Sequence, residues 1–256
     1  MVRIRPGQKV PVLFLWAGRS HPKKREMVDA VSDQPYTGNI RKERGMCIMP
    51  RGSEELTNAR KEEIIHACAR LYETMSFREI TIKEIGKETS FTRTSIYNYF
   101  QTKEEIFLAL FQQEYELWTG DLEELLRTNE TFTGEGFAEA VAHTLEKRER
   151  LLKLMAMNHY DMEANSRMEN LVEFKIAYKR SIEAVTRCLD KFFPEMTEKE
   201  QTDFIYAFYP FMFGIYPYTV VTAKQKEAME TAEIAYPRFS IYNLTCSFLK
   251  KLLSHS

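Results

Sequence analysis

Turn-forming residues are scarce in this chain of 256 residues, which has only ten glycines and nine prolines. That is about 7% where roughly 12% is usual, which excludes collagen-like and Pro/Gly-rich disordered architectures and favours a body made of helices. Residues 1 to 52 hold five of the glycines and five of the prolines, and no proline lies between Pro50 and Pro194. The punctuation describes a non-helical leader ahead of a helical body. Cysteine is sparse too. Cys47, Cys68, Cys188 and Cys246 are far apart, with no pair at zinc or redox-motif spacing. A disulfide-stapled miniprotein is excluded, and a reduced intracellular setting is the simplest reading. Long apolar runs are also missing: none approaches the roughly 20 residues of a spanning helix. The stretch from Phe204 to Val221 is cut by Pro210 and Pro217. Val10 to Ala17 leads into Arg19 and Pro22-Lys23-Lys24-Arg25, not a cleavage site of small residues, which argues against a signal peptide. A cytoplasmic protein with no membrane partner is expected.

Charge of one sign is not in excess overall, with 36 Lys+Arg against 37 Asp+Glu. Its distribution is uneven. Residues 1 to 50 carry ten basic and four acidic residues, residues 51 to 105 nine and ten, and the remainder seventeen and twenty-three. The leader, residues 1 to 52, has no helix or strand period. It reads as a disordered extension, or as sequence upstream of a working start at Met46 or Met49. An arm that binds nucleic acid or membrane phosphates is the alternative.

A helix period begins near Asn58, with Asn58 or Thr57 as the expected N-cap. Ile64, Cys68, Leu71, Tyr72 and Met75 form one apolar face. Thr81 then opens a second, short helix with Glu84 three residues on, the spacing of a capping box. Ile82 and Ile85 are its apolar residues, and Gly86 is expected to leave room for a crossing backbone. Ser90-Phe91-Thr92 reads as a tight connection to a third helix that starts near Arg93. Ile96 and Phe100 make its apolar stripe, while Thr94, Ser95, Tyr97, Asn98 and Tyr99 lie off it. Two short helices, the second crowded with hydrogen-bonding side chains outside its apolar stripe, fit a helix-turn-helix that places its second helix in a major groove.

Phe77, Thr81 to Gly86, Ser90 through Phe100 and Lys103-Glu104-Glu105-Ile106 resemble the DNA-binding domain of the TetR family. The resemblance implies an N-terminal helix-turn-helix domain and a helical C-terminal domain that dimerises and takes a small molecule. It further implies groove contacts from Arg93, Thr94, Ser95, Tyr97, Asn98 and Tyr99, with Lys83 and Lys103 on phosphates. Gly86 and Phe91 depart from the family's more frequent Ala and Val. Arg93 suits a guanine edge, and the tyrosines suit phosphate, sugar or thymine methyls. Thr81 caps its helix at the edge of this surface. Thr92, Thr94 and Ser95 suit phosphates near a helix N-terminus. The unit has a net charge of −1, but residues 89 to 103 hold Arg93, Lys103 and no acid. Few phosphate contacts per monomer, and so a modest salt dependence, are expected.

Beyond residue 103 the face Ile106, Phe107, Leu110, Phe111, Leu117 and Trp118 predicts a long fourth helix that joins the two domains. Further helices are expected at 136–148, 150–163, 168–193, 198–222 and 238–254. The fold class is therefore all-α: a helix-turn-helix domain over 53–103 and a helical dimerisation and ligand domain over 104–256. Apolar groups surround the helix between Phe204 and Tyr218, so it must be covered on every side. Residues 200–222 and 238–253 are expected to form a homodimer interface with Pro210 and Pro217 kinking its helix. Trp118, Met155, His159, Phe174 and Tyr178 are expected to border an effector cavity.

No G-x-S-x-G, P-loop, G-x-G-x-x-G or H-E-x-x-H motif occurs. His159 and Glu163, at i and i+4, lack a third metal ligand. No enzyme activity, cofactor or metal is expected. The expected function is a homodimeric repressor that binds a double-stranded DNA operator and is released by a small molecule. The rival is a helical ligand-binding or scaffolding protein that no longer reads DNA.

Overall fold

The computed structural model describes residues 51–254 apart from 158, 236 and 238. The expected leader and Cys47 lie outside the described residues. Among the described residues there are eleven helices and no strand. They are α1 (Arg51–Thr74), α2 (Ile82–Lys87), α3 (Arg93–Ile96), α4 (Lys103–Thr128), α5 (Gly134–Glu146) and α6 (Glu149–Met155). There follow α7 (His159–Ala164), α8 (Met168–Phe192), α9 (Glu198–Thr219), α10 (Ala223–Thr231) and α11 (Ile241–Leu253). No single helix among the described residues is long and apolar enough to cross a membrane.

Hydroxyl caps set most of the starts. Thr81, Thr92, Thr102, Thr133, Thr197, Thr222 and Ser240 each accept a hydrogen bond from the backbone N–H three residues on. Such a cap satisfies a donor that the helix leaves open and is worth about 1 kcal/mol. The first helix starts earlier than expected. It passes through Thr57 and Asn58 without a cap there, with Glu54 in its first turn, where a carboxylate complements the positive helix end.

Two further boundaries differ from expectation. Residues 150–163 form two helices, α6 and α7, and across the break Nε2 of His159 lies 2.8 Å from the Met155 carbonyl. The expected helix over 198–222 stops at Thr219, and the unexpected α10 opens with a capping box of Thr222 and Gln225. Pro210 and Pro217 both sit within α9.

Helix α4 packs along α8, α5 against α11, α1 against α4 and α6 against α9. The buried stripe of α4 runs Phe107, Phe111, Tyr115, Trp118 and Leu122, whereas Leu117 is 46% exposed. Leu117, placed on that face from the sequence, belongs to the opposite side, and Tyr115 takes the buried position. Cys68, Cys188 and Cys246 are unpaired and buried, and burial pushes the Cys68 thiol up to about 12, where it is an unreactive core group.

Candidate nucleic-acid interface

Helices α2 and α3 are joined by residues 88 to 92 and share an apolar seam of Ile82, Ile85, Ile96 and Phe100, all buried. The turn between them is pinned from α1. Glu63 accepts hydrogen bonds from Ser90 N at 2.6 Å and Ser90 Oγ at 3.2 Å. Those hydrogen bonds hold the Glu63 carboxyl below the usual range. Arg70 donates to the Glu88 carbonyl at 3.0 Å. Thus an acid that would repel a phosphate has a local partner and a structural task.

Thr92 caps α3, with its Oγ1 3.3 Å from Ser95 N and 3.0 Å from Ser95 Oγ. The turn continues past α3, since Tyr99 N donates to Ile96 O at 2.9 Å and Phe100 N to Ile96 O at 3.0 Å. Arg93, Thr94, Tyr97 and Asn98 are exposed, as are Thr81 and Lys83 on α2 and its cap. Tyr97 is 42% exposed, and its hydroxyl accepts from Arg93 Nη2 at 3.2 Å. Its ring also lies 5.8 Å from the Arg93 guanidinium carbon. The two side chains form one exposed unit of a cation, a ring and a hydroxyl.

Two of the expected contact residues face elsewhere. Tyr99 is half-buried, packs against Phe91, and its hydroxyl accepts from Arg60 Nη1 at 3.0 Å. Lys103 sends its ammonium inward to the carbonyls of Phe77 at 2.7 Å and Ile80 at 3.2 Å, over the Phe77 ring. It closes the turn between α1 and α2, whose carbonyls would otherwise lack a donor. Gly86 is not a point of close approach: a Cβ there would meet Ile96 Cδ1 at 3.6 Å and Arg93 N at 3.7 Å, ordinary contacts.

In the body, four of the five residues expected at an effector cavity belong to one connected aromatic cluster. His159 lies 5.3 Å from Phe111, and Phe111 lies 4.9 Å from Phe174. Tyr178 lies 5.4 Å from Tyr115 and 5.5 Å from Tyr209, which lies 6.2 Å from Trp118. Met155 joins them through its carbonyl bond with His159. Trp118 and Met155 are enclosed, and Trp118 Nε1 donates to Thr144 Oγ1 at 3.0 Å. An enclosed indole with its N–H satisfied packs as a core residue in this structure. Tyr115, which sequence reasoning missed, sits between Phe111, Phe174 and Tyr178. Its hydroxyl and Thr119 Oγ1, one turn along α4, are buried without a hydrogen-bond partner among the described residues. The signal for Tyr115 was the i+4 step from Phe111, which the more apolar Leu117 masked.

A surface cleft of about 280 Å³ lies elsewhere, between α1, α4 and α8, lined by Asn58, Lys61, Glu62, Gln113 and Asn170 among others. None of the five expected cavity residues lines it. His159 and Glu163 do not form a ligand pair, since Glu163 accepts from Lys175 at 2.6 Å and His159 bonds backbone. No group of three His, Cys, Asp or Glu among the described residues is placed to hold a metal.

A short capped helix with its polar side turned outward, seated on a partner helix and joined to a helical body, defines a helix-turn-helix protein. Residues 64–110 match the family of bacterial regulatory proteins of the tetR type, and residues 112–253 match the tetracyclin repressor-like C-terminal domain. The chain belongs to the TetR family of transcriptional regulators. A TetR-family transcriptional regulator from Mesorhizobium loti is similar in fold, with a TM-score of 0.51 at 16% identity over 78% of this chain and 97% of that one. The fatty acid degradation regulator FadR from Bacillus halodurans gives a TM-score of 0.50 at 14% identity over 76% of this chain and 98% of that one. A comparison with curated protein sequences gives no match.

Proposed function

We propose that the protein is a homodimeric repressor that reads a DNA operator with α3 and is released by a small molecule held in the C-terminal body. The observation that carries this reading is the outward set of Arg93, Thr94, Tyr97 and Asn98 above the buried Ile96 and Phe100. In such a complex Arg93 reads a guanine edge, Tyr97 and Asn98 reach bases or sugars, and Thr92, Thr94 and Ser95 approach phosphate. Thr81 and Lys83 flank the groove, Tyr99 supports the helix from behind, and Lys103 reaches phosphate only by leaving its carbonyls. The domain division at residues 103 and 104 belongs to the same reading.

The outer side of α9 supports a dimer. Tyr206, Pro210, Gly214 and Tyr218 follow one another at four-residue steps, all exposed and none charged. A Cβ at Gly214 would meet nothing within 4 Å, so a second copy can approach the backbone there. Phe211 stacks on Phe248 of α11 at 4.1 Å, which ties both helices of the expected interface into one surface. For an effector, the support is the Tyr115 hydroxyl. Leaving such a group unpaired costs about 1–3 kcal/mol, which a ligand oxygen among the aromatic rings recovers. A coupling of about 1–3 kcal/mol between that site and the half-site spacing suffices for 5- to 150-fold release.

The deciding experiment selects duplexes from a random library with the full-length protein, then measures gel shifts on the selected duplex and a scrambled one. Preference for the selected duplex, lost in Arg93→Ala and Tyr97→Ala, is the expected result. Binding that ignores sequence and is indifferent to both substitutions favours the helical scaffolding reading instead.

A further inference from the structure

Glu105 stands in the first turn of α4 and is 1% exposed, an expensive place for a carboxylate. Four hydrogen bonds hold it there. Gln101 N donates at 2.8 Å, and Arg167 donates from its backbone N at 3.0 Å, from Nε at 2.7 Å and from Nη2 at 2.9 Å. Burial opposes ionisation of Glu105, but the Arg167 side chain and the two backbone donors overcome it and keep the carboxyl below the usual range. The same Nη2 of Arg167 also donates to the Tyr99 carbonyl at 3.1 Å, at the end of the recognition turn. Beside it, Thr102 Oγ1 donates to the Asn165 carbonyl at 2.9 Å.

Asn165 and Arg167 lie in the short link between α7 and α8. Helix α7 opens with His159, whose ring contacts Phe111 at 5.3 Å and Phe213 at 5.1 Å in the aromatic interior. One six-residue helix therefore has the aromatic cluster at its start and the end of the recognition turn at its finish. Guanidinium suits this position because its planar fork satisfies both carboxylate oxygens and a carbonyl in one geometry, which an ammonium cannot do.

We propose that Arg167 is a positioning residue for operator readout: through Glu105 and the Tyr99 carbonyl it sets the angle of the recognition helix against α4. This rests on the regulator reading for its biological meaning, but the mechanical claim is separable from it.

The test uses full-length Arg167→Gln, Glu105→Gln and the double variant. The double variant leaves no buried charge unpaired, so it is expected to recover the melting temperature that each single variant loses. Its affinity for the selected duplex is nevertheless expected to stay reduced about tenfold, within the ordinary range of coupling, while binding to a scrambled duplex is unchanged. Amide hydrogen exchange in the absence of DNA is expected to rise over residues 96–105 and not over 64–72. A double variant that regains melting temperature and operator affinity together overturns the proposal, because the pair is then only structural. Exchange that is unchanged over 96–105, or that rises equally in α1, overturns it as well. A wild-type protein that selects no sequence defeats the regulator reading, and the exchange pattern still decides the role of Arg167.

Discussion

Arg93 Nη2 lies 3.2 Å from the Tyr97 hydroxyl one turn further along the recognition segment, with the guanidinium over the ring. Both residues are exposed, so the pair adds little to folding: exposed contacts of this kind are typically worth less than about 1 kcal/mol. Arg93→Ala is expected to weaken operator binding by about 1–3 kcal/mol and to shift stability by no more than about 0.5 kcal/mol. Because Tyr97 orients the guanidinium, the double alanine variant should cost less than the sum of the singles. Anisotropy titrations in a double-mutant cycle, with thermal melts alongside, measure both quantities.

Gly86→Ala is expected to stabilise the protein. The added methyl meets Ile96 and Arg93 at ordinary contact distances, and alanine removes the entropy cost of a helical glycine. The gain should be about 0.5–1 kcal/mol in urea unfolding, with operator affinity unchanged. A loss of stability would mean that α2 and α3 approach more closely than the contact at Ile96 indicates.

Gly214→Arg tests the outer side of α9. In the single chain the position is open and helical, so the substitution should leave the fold intact. On a dimer face it inserts two charges close to a partner copy. Sedimentation should show a shift from dimer to monomer while the helical circular dichroism signal is retained.

His159 is expected to make stability pH-dependent. Burial pushes its pKa below the ordinary imidazole value, against the opposite pull of the Met155 carbonyl. The unfolded chain takes up a proton near pH ~6.5, and the folded ring resists it, so stability is complete above that value and falls as pH drops toward the folded pKa. Urea midpoints at about pH 7.5 and 5.5 should differ more in the wild type than in His159→Gln, which cannot titrate there.

Salt dependence is expected to follow from the sparse cations of the proposed DNA-facing surface. Arg93 and Lys83 are its exposed basic residues on α2 and α3 besides Lys87, which pairs with Glu84 at 3.3 Å. A plot of log affinity against log salt should be shallower than about −10 for the dimer. Lys103→Met, which removes an inward cation, should lower stability more than it alters that slope.

What the sequence by itself determined is local. Hydroxyl caps, the apolar period of α1 and α4, and the outward polar residues after Arg93 depend on neighbours three or four positions away, and these carried the helix-turn-helix and the all-helical body. The tertiary structure decided whatever depends on distant partners. Tyr99 is tied to α1 by Arg60, Lys103 is drawn inward by the carbonyls of Phe77 and Ile80, and Trp118 is enclosed by Thr144 and Tyr209. The break between α6 and α7, which the periodicity does not mark, has the His159 ring on the Met155 carbonyl. Glu105 in the first turn of α4 and Arg167 in the link before α8 are 62 positions apart, so no local spacing joins them. Only packing that excludes water around the carboxylate makes each necessary to the other, because a buried charge must find its partner wherever the chain brings one.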